Sequence, residues 1–119
     1  MDLTLLVIRS AVPEQLAQFY ALLGLSFEYN QHGNGPYHYS GRIGPTLLEI
    51  YPLARGQEKA DVSLRLGFAL DTFDATIKQL QLQAAQFYQL PAMTEWGLMA
   101  IIADPEGRKI EVYKKVITE

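Results

Sequence analysis

Leu48-Glu49-Ile50-Tyr51 and Ile110-Glu111-Val112-Tyr113 are one pattern, aliphatic, acid, aliphatic, tyrosine, written twice in the same chain. The two glutamates lie 62 positions apart (111 − 49). Upstream of each, a second pair matches: Leu22-Leu23-Gly24-Leu25-Ser26-Phe27 with Leu82-Gln83-Ala84-Ala85-Gln86-Phe87, 60 positions apart (82 − 22). Two matches in one order at nearly one offset mark an internal duplication whose halves differ by a small insertion.

Reading outward from these segments gives the same series of elements twice. In the first half, an aliphatic strand from Leu3 to Ile8 leads to Pro13, which suits the first turn of a helix. Leu16, Phe19, Tyr20 and Leu23 have helical spacing, and Gly24 ends the helix. Leu25 to Tyr29, Tyr37 to Ile43 and Thr46 to Tyr51 read as strands, separated by the turns Gln31 to Pro36 and Gly44-Pro45. Pro52 to Ala60 is a linker. In the second half Ser63 to Leu70 is a strand, and Asp71 and Thr72 cap a helix carrying Phe73, Ile77, Leu80 and Ala84. The strands Ala85 to Leu90, Leu98 to Ala103 and Lys109 to Tyr113 follow, with a loop at Pro91 to Gly97 and a turn at Asp104 to Gly107. Each half is βαβββ, and the fold class is α+β.

The 119 residues suffice for one domain with its own core. With 49% hydrophobic and 19% charged residues the composition is that of an ordinary globular protein, not a disordered one. The longest apolar runs, such as Leu98 to Ala103, have strand length and are too short to span a membrane. The absence of cysteine removes thiol nucleophiles, disulfides and cysteine metal sites, and fits a cytoplasmic location. A net charge of -3 without a basic cluster argues against nucleic acid as a partner.

Three segments, in order, carry a family resemblance: Phe19-Tyr20-Ala21-Leu22-Leu23-Gly24-Leu25, Asp71-Thr72-Phe73-Asp74-Ala75, and Asp104-Pro105-Glu106-Gly107-Arg108-Lys109-Ile110-Glu111. They resemble the first-helix end, the second-helix start and the closing hairpin of the vicinal-oxygen-chelate superfamily, which includes glyoxalase I, bleomycin-resistance proteins and extradiol dioxygenases. The resemblance implies a single domain over residues 1–119, with module one at 1–53 and module two at 61–119. It implies curved mixed sheets that form a half-barrel cleft with the helices outside, and a homodimer. Metal-dependent relatives place a His or Gln on each module's first strand and a Glu on each last strand. The glutamates are present as Glu49 and Glu111, but the first-strand positions fall at or beside Leu5 and Arg65. Leucine has no donor and arginine is a permanent cation, so no metal is expected at these four positions and no cofactor is assigned.

The candidate catalytic residues are therefore Glu49, Glu111 and His38, and the candidate ligand-binding residues are Arg65, Glu49, Glu111, Tyr39 and Trp96. Arg65, flanked by Ser63 and Gly67 on its strand face, is expected to occupy the metal's place and pair with Glu49 or Glu111. If that pair is buried, Arg65→Met should cost on the order of 3 kcal/mol. Arg65 also suits an anionic ligand, through its bidentate fork. His38, between two tyrosines, reads either as a hydrogen-bonded structural histidine or as an acid or base with a pKa near neutrality. His32 reads as turn surface. Trp96 either stacks on a planar ligand or packs a dimer edge. The function this favours is metal-free binding of a small planar or anionic molecule, as in bleomycin-resistance proteins. The alternatives are a glyoxalase-like lyase, isomerase or dioxygenase-related enzyme with a divalent metal at unmatched positions such as His38 and one glutamate, and a non-catalytic structural dimer.

Overall fold

The computed structural model describes residues 1–116; the last three positions expected in the second module lie outside the described residues. The elements are β1 (Leu5–Ser10), α1 (Pro13–Leu22), β2 (Phe27–Asn30), β3 (His38–Ile43) and β4 (Thr46–Pro52). They continue with β5 (Leu66–Leu70), α2 (Phe73–Leu82), β6 (Phe87–Thr94), β7 (Gly97–Ala103) and β8 (Lys109–Lys114). The chain divides into two compact units, Met1–Ala21 with Leu25–Asp61, and Leu22–Gly24 with Val62–Glu119.

The first unit holds a four-stranded mixed sheet in the order β1-β4-β3-β2, and the second holds its counterpart, β5-β8-β7-β6. In each, the module's first strand runs parallel to its last and the remaining pairs are antiparallel. Both sheets are open, and the fold class is the α+β expected. Central β4 buries Leu48, Glu49 and Ile50, and central β8 buries Ile110 and Val112. α1 begins at Pro13, after the Ser10 hydroxyl accepts the Val12 N–H, and buries Leu16, Ala17, Phe19 and Tyr20.

Strand pairing locates the insertion. Phe27 pairs with Gly41 in the first sheet, and Phe87 with Ile102 in the second. Ser40 pairs with Glu49, and Ile101 with Glu111. The offset between copies thus grows from 60 at the phenylalanines (87 − 27), through 61 on the third strand (101 − 40), to 62 at the glutamates (111 − 49). One residue enters between the second and third strands of the module. The other enters its last hairpin, where Gly44-Pro45 is replaced by a longer turn closed by the Asp104 N–H on the Arg108 carbonyl at 3.0 Å.

Three sequence expectations are corrected. β6 does not stop at Leu90 but runs on through Pro91 to Thr94, with two breaks of register against β7. A proline is tolerated there because β6 is an edge strand, where a missing N–H costs no ladder bond. The seven residues between β2 and β3 form an open loop instead, and it carries His32. Thr72 stands at the N-cap of α2, but its hydroxyl meets Thr76 Oγ1 at 3.1 Å and caps no backbone N–H. β5 starts at Leu66, so Arg65 lies just before the strand.

Candidate functional site

Alternation and register put Glu49 on one face of the first sheet, in a row that reads Val7, Glu49, Ser40, Glu28. His38 and Arg42 flank Ser40 on that face, and Asn30 pairs with His38. The reverse face carries Ile8, Leu48, Ile50, Tyr39 and Phe27. A pocket of about 410 Å³ opens on the Glu49 face, with Glu28, Asn30, His32, Ser40, Arg42 and Glu49 in its lining. That volume is within the range of small-molecule sites, about 300–1,000 Å³.

The pocket is rich in acceptors. Glu49 is 7% exposed, and its Oε2 accepts the Ser40 hydroxyl at 3.2 Å. Asn30 Oδ1 is buried without a hydrogen-bond partner. His38 is 1% exposed; its Nδ1 lies 3.2 Å from the Pro36 carbonyl and its ring stacks on Tyr51, with centroids 4.2 Å apart at 6°. Arg9 lies over the ring of Tyr51 and donates to the Pro52 carbonyl. His38 Nε2 approaches Glu49 Oε2 to 3.0 Å, yet that nitrogen has no partner of hydrogen-bonding geometry. The pair is close enough for an ion pair but lacks the geometry of a hydrogen bond.

His32 is exposed in its turn, as read from the sequence, yet it is not remote from the site. The open loop folds it toward the sheet, its ring centroid 4.8 Å from that of His38. His32, His38 and Glu49 present ligand atoms that all lie within 4.8 Å of one another. The sequence signal was the glycine-rich turn, which returns His32 toward the strand that begins at His38.

Glu111 sits in the second unit, where its Oε1 accepts the Tyr113 hydroxyl at 2.7 Å and its Oε2 accepts Arg65 Nη2 at 3.2 Å. The bond to Glu111 is the main cause that raises the Tyr113 phenol above its usual value, with burial and the Glu111 charge adding to it and Arg65 opposing it. Arg65 thus pairs with Glu111 as one of the two expected partners, but the side chains are 52% and 28% exposed, so this is not a buried pair.

Tyr39, expected among the ligand-binding residues, does not face the Glu49 pocket. It pairs with Ile50 and lies on the reverse face from Glu49, with Glu14, Ala17 and Tyr29 around a separate hollow. The alternation that puts Ser40 beside Glu49 sends its neighbour to the other side. Burial, and then the charges of Glu14 and Tyr29, push the Tyr39 phenol up. Trp96 is 74% exposed at the β6–β7 turn, its backbone N–H on the Thr94 hydroxyl. The nearby apolar hollow is lined by Met93, Gly97, Leu98, Lys114, Lys115 and Val116.

The superfamily's four-position metal set does not fit these residues. Leu5 pairs with Leu47, diagonal to Glu49, and offers no donor atom. Arg65 brings a cation to Glu111, where a metal would need a lone pair.

No family model matches the chain, and no curated protein matches it in sequence. Solved structures match it over nearly its whole length. TnmS3, an antibiotic binding protein from Streptomyces sp. CB03234, is 22% identical with a TM-score of 0.76, over 98% of this chain and 97% of that one. The oxidase ChaP-H2 is 14% identical with a TM-score of 0.77, over 100% and 97%. The integron cassette protein VCH_CASS1, from the mobile metagenome of V. cholerae, is 24% identical with a TM-score of 0.70, over 98% and 96%. All three are under 25% identical, so the likeness is one of fold, and it agrees with the two-module α+β architecture expected from the sequence.

Proposed function

We propose that this chain is a small-molecule binding protein of the bleomycin-resistance type, with its site in the pocket on the Glu49 face of the first sheet and without the superfamily's four-position metal. The observation that carries the reading is that pocket, where Glu28, Asn30, Ser40 and Glu49 supply acceptors and Arg42 a single guanidinium. The ligand that suits it is planar and bears hydrogen-bond donors. An anionic group would find only Arg42 against two carboxylates, so anion binding, expected from Arg65, is a poor match to this pocket. That a structural neighbour is an antibiotic binding protein is consistent with the proposal.

The reading includes a homodimer in the cytoplasm. Leu5 and Val7 on the edge strand β1, with Leu3 just before it, are exposed and favour burial against a second copy. No helix among the described residues is long and apolar enough to cross a membrane. A second reading, an enzyme with a metal on atypical ligands, is favoured by one observation, the meeting of His32, His38 and Glu49.

Thermal-shift screening against planar amino-aromatic and amide compounds tests the first reading. A compound at a hundred times its dissociation constant should add about 2.7 kcal/mol of stability. Glu28→Ala and Arg42→Ala, both exposed positions, should each weaken that response. A panel without a stabilising compound, or hits indifferent to both substitutions, counts against it.

A further inference from the structure

We propose that His32, His38 and Glu49 form a divalent transition-metal site within the first module, sharing only Glu49 with the superfamily's ligand set. With Nδ1 donating to the Pro36 carbonyl, the imidazole in its uncharged form presents a bare lone pair at Nε2. That lone pair lies 3.0 Å from a carboxylate oxygen, without hydrogen-bonding geometry between them, in a position 1% exposed. Two acceptors this close and this buried repel each other unless a proton or a metal ion lies between them. A metal ion satisfies both.

The surroundings are those of a metal-binding histidine. The second ring nitrogen is held by a backbone carbonyl, the arrangement that fixes tautomer and orientation at such sites. The ring is clamped against Tyr51, and Glu49 is oriented by the Ser40 hydroxyl. His32 supplies the third donor from an exposed loop. Ligands about 2.0–2.1 Å from a tetrahedral ion lie about 3.3–3.4 Å apart. The His38–Glu49 distance is close to that, while the full set spreads to 4.8 Å, so His32 has to swing inward by roughly an ångström. Two imidazoles and one carboxylate suit zinc and its first-row neighbours. Calcium and magnesium need six or more oxygens, which three such ligands do not give. His32 and Glu49 also line the pocket. The metal proposal does not depend on the small-molecule reading: metal binding with no planar ligand, or the reverse, separates them.

The test uses the full-length chain after chelator treatment, titrated with cobalt(II) and then zinc by calorimetry and visible absorption. One equivalent of cobalt should bind with the intense d–d bands of a four-coordinate ion, and zinc should displace it. Magnesium and calcium should give no heat. His32→Ala, on an exposed loop, should keep the fold and weaken cobalt binding at least tenfold, a loss that outer-shell changes alone can reach. Glu49→Gln, nearly isosteric, should abolish the d–d spectrum. Failure of cobalt and zinc to bind overturns the proposal. So does one-to-one binding that survives both substitutions unchanged, which would put the metal on other residues.

Discussion

Ala84 closes α2 at a positive φ as Gly24 does after α1, at 55° against 112°. The Ala84 N–H bonds the Gln81 carbonyl and the Ala85 N–H the Leu80 carbonyl, the paired closure of a Schellman motif. A Cβ in this conformation costs roughly 1–2 kcal/mol. Ala84→Gly should therefore stabilise the chain by about 1 kcal/mol, after the added freedom of the unfolded state is deducted. Urea unfolding should show a higher midpoint at unchanged slope; a lower midpoint would refute the assignment.

Arg65→Met should cost less than about 1 kcal/mol, because the pair with Glu111 is largely solvated. This replaces the larger loss expected for a buried pair. Raising the salt concentration should erase most of the difference between variant and parent.

Arg108 is the opposite case. It is 0% exposed, and its guanidinium donates to Asp104 Oδ2 at 3.1 Å and to Glu106 Oε1 at 3.0 Å. Arg108→Met leaves buried carboxylate without its counter-charge and should cost on the order of 3–5 kcal/mol. Chemical denaturation decides between this and a neutral surface effect.

Tyr113 should titrate later than a free phenol, since its proton is held by Glu111. The folded value is raised above the unfolded one, near 10, so the associated stability is fully present below about pH 10 and is lost as pH rises through the folded value. Tyr39 is shifted the same way by burial. Ultraviolet titration of Tyr113→Phe should lose one late-titrating phenol; an unchanged late component would refute the assignment.

Light scattering at micromolar concentration should give twice the chain mass. A monomer mass would remove the dimer from the reading.

The fold was legible because duplication doubles every signal: each weak strand in one half has a counterpart in the other. What escaped were features that depend on pairing partners. Pro91 reads as a strand breaker until β6 is known to lie at an edge. Of the candidate site, Glu49 and His38 were legible from alternation on their strands. Glu28, Asn30, Ser40 and Arg42 were not, because each is an ordinary polar residue until register sets it beside Glu49. Tyr39 faces away from Glu49, because one position along a strand moves a residue across the sheet. His32 was missed because its approach depends on a loop path that no periodicity encodes.

The duplicated halves have diverged in role. Around Glu49 the strand row reads Val7, Ser40, Glu28; around Glu111 it reads Gly67, Ile101, Gln89. Where the first half sets His38 against Tyr51, the second sets Met99 beside Tyr113. One copy has concentrated its donors and acceptors on a sheet face, while the other has spent its buried charge on locking a hairpin through Arg108. Saturation mutagenesis would make this asymmetry visible as two separable phenotypes. Changes to the pocket row of the first copy would alter occupancy while sparing abundance, and changes at the Asp104–Arg108 hairpin of the second would lower abundance before they touched occupancy.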